Sequence, residues 1–257
     1  MIIKKSPGEI EAMAAAGEIL VRTMDLLAGK IRPGVTTGEL DSAAEKYIRS
    51  QGATPAFKGY RGFPGSICAS PNDMVVHGIP GRFKLSRGDI LSVDIGVVKD
   101  GWVADAARTF GVGEISPVAA KLLQVTEGSL FAAVEQCRAG NRLGDVSHAV
   151  QQHVESQGFS IVRSLVGHGV GRDMHEEPQV PNYGPPHKGV ALEEGMVLAV
   201  EPMVTSGRHM VRMGDDGWAI YSQDGSLAAH FEFTIAITAA GPRILTPWHH
   251  PAAQAAA

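Results

Sequence analysis

Two aspartates stand on either side of a short turn, and few features of the chain restrict its fold as much. Ile90-Leu91-Ser92-Val93-Asp94-Ile95-Gly96-Val97-Val98 runs into Lys99-Asp100-Gly101, and Trp102-Val103-Ala104-Asp105 follows. Two β-rich runs joined through Asp-Gly form a hairpin signal. A turn centred between Lys99 and Asp100 sets Asp94 roughly opposite Asp105 on one face, with Cβ atoms about 5 Å apart. Carboxylates that close repel, and one retains its proton unless a cation neutralises the pair. The hairpin therefore points to a metal.

Other candidate ligands lie further along. His168 sits in Gly167-His168-Gly169-Val170-Gly171, Glu201 ends the apolar run Met196-Val197-Leu198-Ala199-Val200, and Glu232 stands inside Ala229-His230-Phe231-Glu232-Phe233-Thr234-Ile235-Ala236-Ile237. An ionised carboxylate among apolar neighbours is costly unless paired or metal-bound. Taken singly, a strand Glu belongs on a solvated face and a Gly-flanked His in a loop. Together the five residues form a mainly hard-oxygen set, suited to Mn²⁺, Fe²⁺, Co²⁺ or Zn²⁺ rather than to a thiolate-selecting metal.

Composition narrows the alternatives. The 257 residues suffice for one large core or two modest ones. The formal charge of −4, without a basic block, offers no nucleic-acid footprint. Two cysteines, Cys68 and Cys137, are too few for a disulfide framework, and Cys137 reads as a small core residue. The N-terminus lacks a signal-peptide apolar region, and no apolar run is long enough to span a bilayer, so a soluble, cytoplasmic protein is expected.

Ser6-Pro7-Gly8-Glu9 is a capping box with Pro at the first helical position. Ile10, Met13, Gly17, Leu20, Met24 and Leu27 then trace an amphipathic helix ending near Gly29. A second helix is expected from Thr36 to about Ser50, then strands at Ser66–Ser70, Met74–His77 and the 90–110 hairpin. Helices follow from Ser116 to about Cys137 and over 143–157, with strands near 160–167, 196–205, 209–213, 218–222 and 228–238. The order repeats, and so do letters: Arg32-Pro33-Gly34-Val35-Thr36-Thr37-Gly38-Glu39-Leu40 matches Arg138-Ala139-Gly140-Asn141-Arg142-Leu143-Gly144-Asp145-Val146, and His77-Gly78-Ile79 echoes His168-Gly169-Val170. An internal duplication accounts for both matches. The expected organisation is one domain over 1–250, built of two related halves whose ligands meet at the seam, with a disordered tail over 251–257.

Asp94, Asp105, His168, Glu201 and Glu232, in that order and within those motifs, resemble the type I methionine aminopeptidases of the pita-bread fold, in their short bacterial form. His175-Glu176-Glu177-Pro178 and Val200-Glu201-Pro202 carry the likeness further, and it covers nearly the whole chain. The chain departs from one common pattern at Phe63, Met174 and Phe233, where Tyr, Phe and His are frequent. The resemblance implies an α+β pita-bread fold of two pseudo-symmetric halves, with antiparallel sheet backed by helices. It also implies two divalent ions, bridged by Asp105 and Glu232, with Asp94 on one and His168 and Glu201 on the other.

The implied activity is removal of the initiator methionine from nascent chains, at the ribosome and by a monomer, when the second residue is small. Glu201 is the implied proton acceptor. His175 would bond the scissile carbonyl or the tetrahedral intermediate, and His77 the amide of the residue after methionine. Tyr60, Phe63, Cys68 and Trp218 would wall an apolar methionine pocket, which leaves Cys68 open to blocking by a thiol reagent. Three alternatives stand beside this reading. An Xaa-Pro peptidase of the same fold usually carries a substantial extra N-terminal domain. A metal-free pita-bread protein that only binds peptide or ribosome should have lost ligands. A dimetal phosphoesterase should place basic residues near the site.

Overall fold

Helix α1 (Pro7–Ala28) opens with a reciprocal cap in which the Ser6 hydroxyl accepts from the Glu9 amide and the Glu9 carboxylate accepts from the Ser6 amide at 2.8 Å. In the computed structural model, which describes residues 1–248, every member of the expected stripe from Ile10 to Leu27 is buried. Helix α2 (Thr37–Ser50) repeats the cap with Thr36 and Glu39. Helices α3 (Pro117–Gln136) and α4 (Leu143–Glu155) follow. The tail expected over 251–257 lies outside the described residues.

The strands are β1 (Thr54–Pro55), β2 (Cys68–Pro71), β3 (Met74–Val76), β4 (Ile90–Lys99), β5 (Trp102–Gly111), β6 (Ser160–Ile161), β7 (Gly167–Gly169) and β8 (Glu176–Val180). They continue as β9 (Val197–Val200), β10 (Met203–Thr205), β11 (Val211–Met213), β12 (Ile220–Ser222), β13 (Ala228–His230), β14 (Phe233–Thr238) and β15 (Gly241–Ile244). One sheet centres on β4, which pairs with β1, β2 and β5; another has the order β15-β14-β9-β7-β8, and two small sheets are ordered β13-β10-β6 and β11-β12-β3. All the strand pairings are antiparallel.

Two runs expected as single strands each divide in two. The run over 196–205 breaks at Glu201-Pro202 into β9 and β10, and that over 228–238 breaks at Phe231-Glu232 into β13 and β14. Val200 pairs with Phe233 on one side of the breaks and Met203 with His230 on the other. That register sets Glu201 opposite Glu232, where both chains pass from one sheet to the other. The run over 160–167 also divides, into β6 and the start of β7. Strand β8 lies at a sheet edge, where its proline costs no ladder bond.

The β4–β5 hairpin forms, with a different register from that expected. Lys99 pairs with Trp102, leaving Asp100-Gly101 as a two-residue loop, both with positive φ (50° and 78°). This is the backbone of a type I′ turn, whose twist matches the strands it joins. Asp94 consequently faces Ala107, and Asp105 faces Gly96. The aspartates are diagonal neighbours on one face rather than a directly opposed pair.

The duplication is visible in hydrogen bonds. Gly34 N–H donates to Leu85 O and Gly140 N–H to Leu192 O; Leu85 N–H returns to Val35 O and Leu192 N–H to Asn141 O. Thr36 bridges Lys84 as Arg142 bridges Ala191. Counted from Leu85 and Leu192, Asp94 and Glu201 hold equivalent places. The second letter match is not a structural one. Ser70 pairs with Ser92 and His168 with Ala199, so the counterpart of His168 is Ser70 and not His77.

Candidate metal centre

The halves meet where β5 runs beside β13 and β14. Asp105 N–H donates to the Thr234 hydroxyl at 3.0 Å, which donates back to Asp105 O at 2.7 Å. Glu232 N–H donates to Ala107 O at 2.9 Å. His230 N–H donates to the Thr109 hydroxyl, which donates to His230 O at 2.8 Å. These bonds fix Asp105 and Glu232 side by side, and ligand atoms of Asp105, His168 and Glu232 lie within 4.8 Å of one another. Glu201 and Asp94 flank them: His168 Nε2 is 3.6 Å from Glu201 Oε1 and 3.7 Å from Asp105 Oδ2, and the Asp94 carboxyl is close enough to raise that of Asp105.

Four acids in so small a volume titrate abnormally. Burial pushes Asp94 up to about 7. Burial and the neighbouring carboxylates hold Asp105, Glu201 and Glu232 well above the usual range. Burial lowers His168 to about 4, so it is a neutral ligand at physiological pH. Its Nδ1–H donates to Gly169 O at 2.9 Å, which leaves the Nε2 lone pair facing the carboxylates. Asp94 Oδ1, Asp105 Oδ1 and Glu232 Oε1 are buried with no hydrogen-bond partner among the described residues. Orphaned, like-charged oxygens beside a prepared imidazole fit divalent cations.

The carboxylates form the floor of a cavity of about 180 Å³ whose lining includes every residue expected at the site: Tyr60, Phe63, Cys68, His77, Asp94, Asp105, His168, His175, Glu201, Trp218 and Glu232. Phe57, Arg61 and Met174 complete it. Phe63 packs edge-on against Trp218, with ring centroids 5.1 Å apart. Gly96 matters here: a Cβ would come within 2.7 Å of Phe57 and 2.8 Å of Met174, so this strand position stays bare to seat two walls. Cys68 lines the cavity opposite Asp94 in the β2–β4 register. It is buried, however, and burial with the nearby acids raises its thiol well above the ordinary value, so the expected susceptibility to thiol reagents is withdrawn.

His175 and His77 both line the cavity. The Tyr60 hydroxyl bonds His175 Nδ1 at 2.8 Å, an orienting role the sequence did not reveal for Tyr60. His77 stands at the cavity mouth, open on one side and crowded on the others, and burial lowers its pKa. Its backbone is left-handed (φ 60°), the kind of local strain that collects at functional sites. The sequence reading also passed over Lys5. Its ammonium forms a buried ion pair with Glu176 at 2.5 Å, while the other Glu176 oxygen accepts the Arg172 N–H at 2.9 Å. The N-terminal segment thereby clamps the loop that presents Met174 and His175. A Cβ on Gly171 would strike both members of this pair.

Comparison with known proteins agrees with this geometry. Residues 11–239 match the model of metallopeptidase family M24. The chain belongs to that family. It is 54% identical to the methionine aminopeptidase of Clostridium perfringens, over 96% of this chain and 99% of the relative. It is 52% identical to methionine aminopeptidase 1 of Bacillus subtilis, over 96% and 99%. The crystal structure of methionine aminopeptidase from Thermotoga maritima superposes with a TM-score of 0.94 at 46% identity, covering 96% of this chain and 99% of that one. The fold is thus the pita-bread fold, and as an M24 metallopeptidase the chain is a hydrolase that uses divalent metal. Of the departures noted, Phe233 turns away from the M24 centre and packs on Trp248 at 4.4 Å between ring centroids. Met174 and Phe63 remain cavity walls. Among the described residues, no helix is long and apolar enough to cross a membrane.

Two outcomes follow for this centre. Lys5→Met strands the buried Glu176 carboxylate and should cost about 3–5 kcal/mol in denaturant unfolding, part of it recovered in Lys5→Met/Glu176→Gln. The second concerns pH. The site histidines are lowered in the fold, so their own contribution to stability grows as the unfolded imidazoles lose their protons and is complete by about pH 7.5. The acids are raised, so their contribution is greatest below their unfolded pKa and is lost as pH rises through about 7 and beyond. Above about pH 7.5, metal-free protein should therefore lose stability as pH rises, by roughly 1.4 kcal/mol per pH unit for each carboxyl still protonated. Added Mn²⁺ should raise Tm more at the upper end; calorimetry with and without chelator checks this.

Proposed function

We propose that this M24 enzyme is a methionine aminopeptidase that removes the initiator methionine from nascent polypeptides at the ribosome when the second residue is small. The observation that carries this reading is the continuity of an apolar cavity with a carboxylate floor. Phe57, Phe63, Met174 and Trp218 offer a soft, polarizable enclosure of the kind a thioether side chain fills. Asp94, Asp105, His168, Glu201 and Glu232 would hold two divalent ions. Bound there, a divalent metal supplies Lewis acidity, lowering the pKa of water and polarising a carbonyl.

The chain's own groups then divide the work. Glu201, whose carboxylate has a high proton affinity in this setting, accepts the proton of the attacking water. With Tyr60 donating to Nδ1, His175 presents Nε2–H to the scissile carbonyl oxygen and to the charge that grows there. His77, at the cavity mouth, bonds the amide of the residue after methionine. Aromatic walls exclude water from the bond being broken and hold the methionine side chain still.

Metal-reconstituted protein offered Met-Ala-Ser, Met-Leu-Ser and Ala-Pro-Ala should cleave the first far faster than the others. Preference for Ala-Pro-Ala would overturn the proposal. His175→Ala should lower kcat by roughly 10²-fold or more with little change in metal binding. A change confined to KM would remove His175 from the chemistry.

A further inference from the structure

His230 is a buried imidazole that the chemistry above leaves unused. It is 2% exposed, and neither ring nitrogen has a hydrogen-bond partner among the described residues. Such a group costs on the order of 1–3 kcal/mol unless something satisfies it. Its Nε2 lies 3.7 Å from Glu201 Oε2 and 3.9 Å from Glu232 Oε2. His168 approaches the other oxygen of the same carboxylate, Glu201 Oε1. Glu201 therefore stands between two imidazoles, one at each oxygen.

The two rings are prepared for different work. His168 has a carbonyl at Nδ1 that forces its lone pair onto Nε2, as a ligand requires. His230 has no such acceptor at Nδ1, and its Nε2 lies outside the compact set formed by Asp105, His168 and Glu232. What is fixed in His230 is its backbone, bonded in both directions to Thr109. The ring is thus held in place with its tautomer free, beside two carboxylate oxygens that lie a few tenths of an ångström beyond hydrogen-bond reach.

We propose that His230 is a positioning residue of the metal centre, whose Nε2–H donates to the outer oxygen of Glu201, with Glu232 Oε2 in reach of the same proton. A small rotation of the Glu201 carboxylate closes the gap. A neutral imidazole can donate this proton without adding a positive charge that would oppose the ions. A lysine or arginine in this place could donate only by bringing such a charge. The inference rests on the metal-centre reading above, and its test separates the two.

The first measurement is nuclear magnetic resonance of ¹⁵N-histidine-labelled wild-type protein loaded with Zn²⁺, with the His230 signals assigned by their loss in His230→Gln. Nε2 of His230 should carry a proton. An Nε2 that is bare or shifted by direct metal coordination overturns the positioning role, the latter by making His230 a ligand. The second is calorimetric titration with Mn²⁺. His230→Leu should bind 10- to 100-fold more weakly than wild type, and His230→Gln, which keeps a side-chain N–H, should recover most of the loss. Wild-type affinity in His230→Leu overturns the proposal while leaving the centre intact, whereas a wild-type protein that binds no divalent ion overturns both. Should His230→Leu fail to fold, the proton on Nε2 in the wild type decides.

Discussion

Two threonines hold the halves of this molecule in register. Thr234 exchanges hydrogen bonds with both backbone groups of Asp105, and Thr109 does the same for His230. Between them Glu232 N–H reaches Ala107 O. Side chains here take the place of an ordinary strand ladder, and they specify position as tightly as a ladder would. A slip of one residue would turn Glu232 to the opposite face, away from Asp105. The site exists only at that register.

What the register assembles is costly by itself. Four acids share a buried space, several of their oxygens unpartnered, and protonation relieves the repulsion only in part. The fold tolerates this because divalent cations return the energy on binding, which ties metal affinity to stability and both to pH. The broken strands serve the same end. At Glu201-Pro202 and Phe231-Glu232 the chains leave one sheet for another, and that change of direction lets two opposed glutamates point into a common space instead of along a continuous ladder.

Much of this was legible in the sequence, for reasons that particular residues show. The α1 stripe was readable because burial of Met13, Leu20 and Leu27 obeys the helical period, a local property. The five candidate ligands stood out because acids and an imidazole interrupt apolar or glycine-rich runs. The hairpin register did not, since it depends on which two residues form the loop: Asp100-Gly101 and Lys99-Asp100 both read as turns, and only the positive φ at Asp100 and Gly101 decides. Lys5 was invisible because its partner Glu176 is remote in sequence. His230 had a signal that went unused: in the same run as Glu232 and two residues before it, alternation sends both side chains the same way.

The duplication explains why the centre is unsymmetrical. Asp94 and Glu201 occupy equivalent strand positions, so each half contributes one acid from the same place in its fold. The place that gives His168 in the second half gives Ser70 in the first. Ser70 is not part of the cavity lining; its hydroxyl accepts Gly78 N–H at 3.0 Å and so secures the turn that carries His77 in its left-handed conformation. Equivalent positions of the two halves thus carry a candidate ligand histidine in one and, in the other, a serine that supports the segment bearing His77. With serine at that place, the first half offers no imidazole there and instead secures His77 in the cavity lining, so the two halves contribute unlike groups to one cavity.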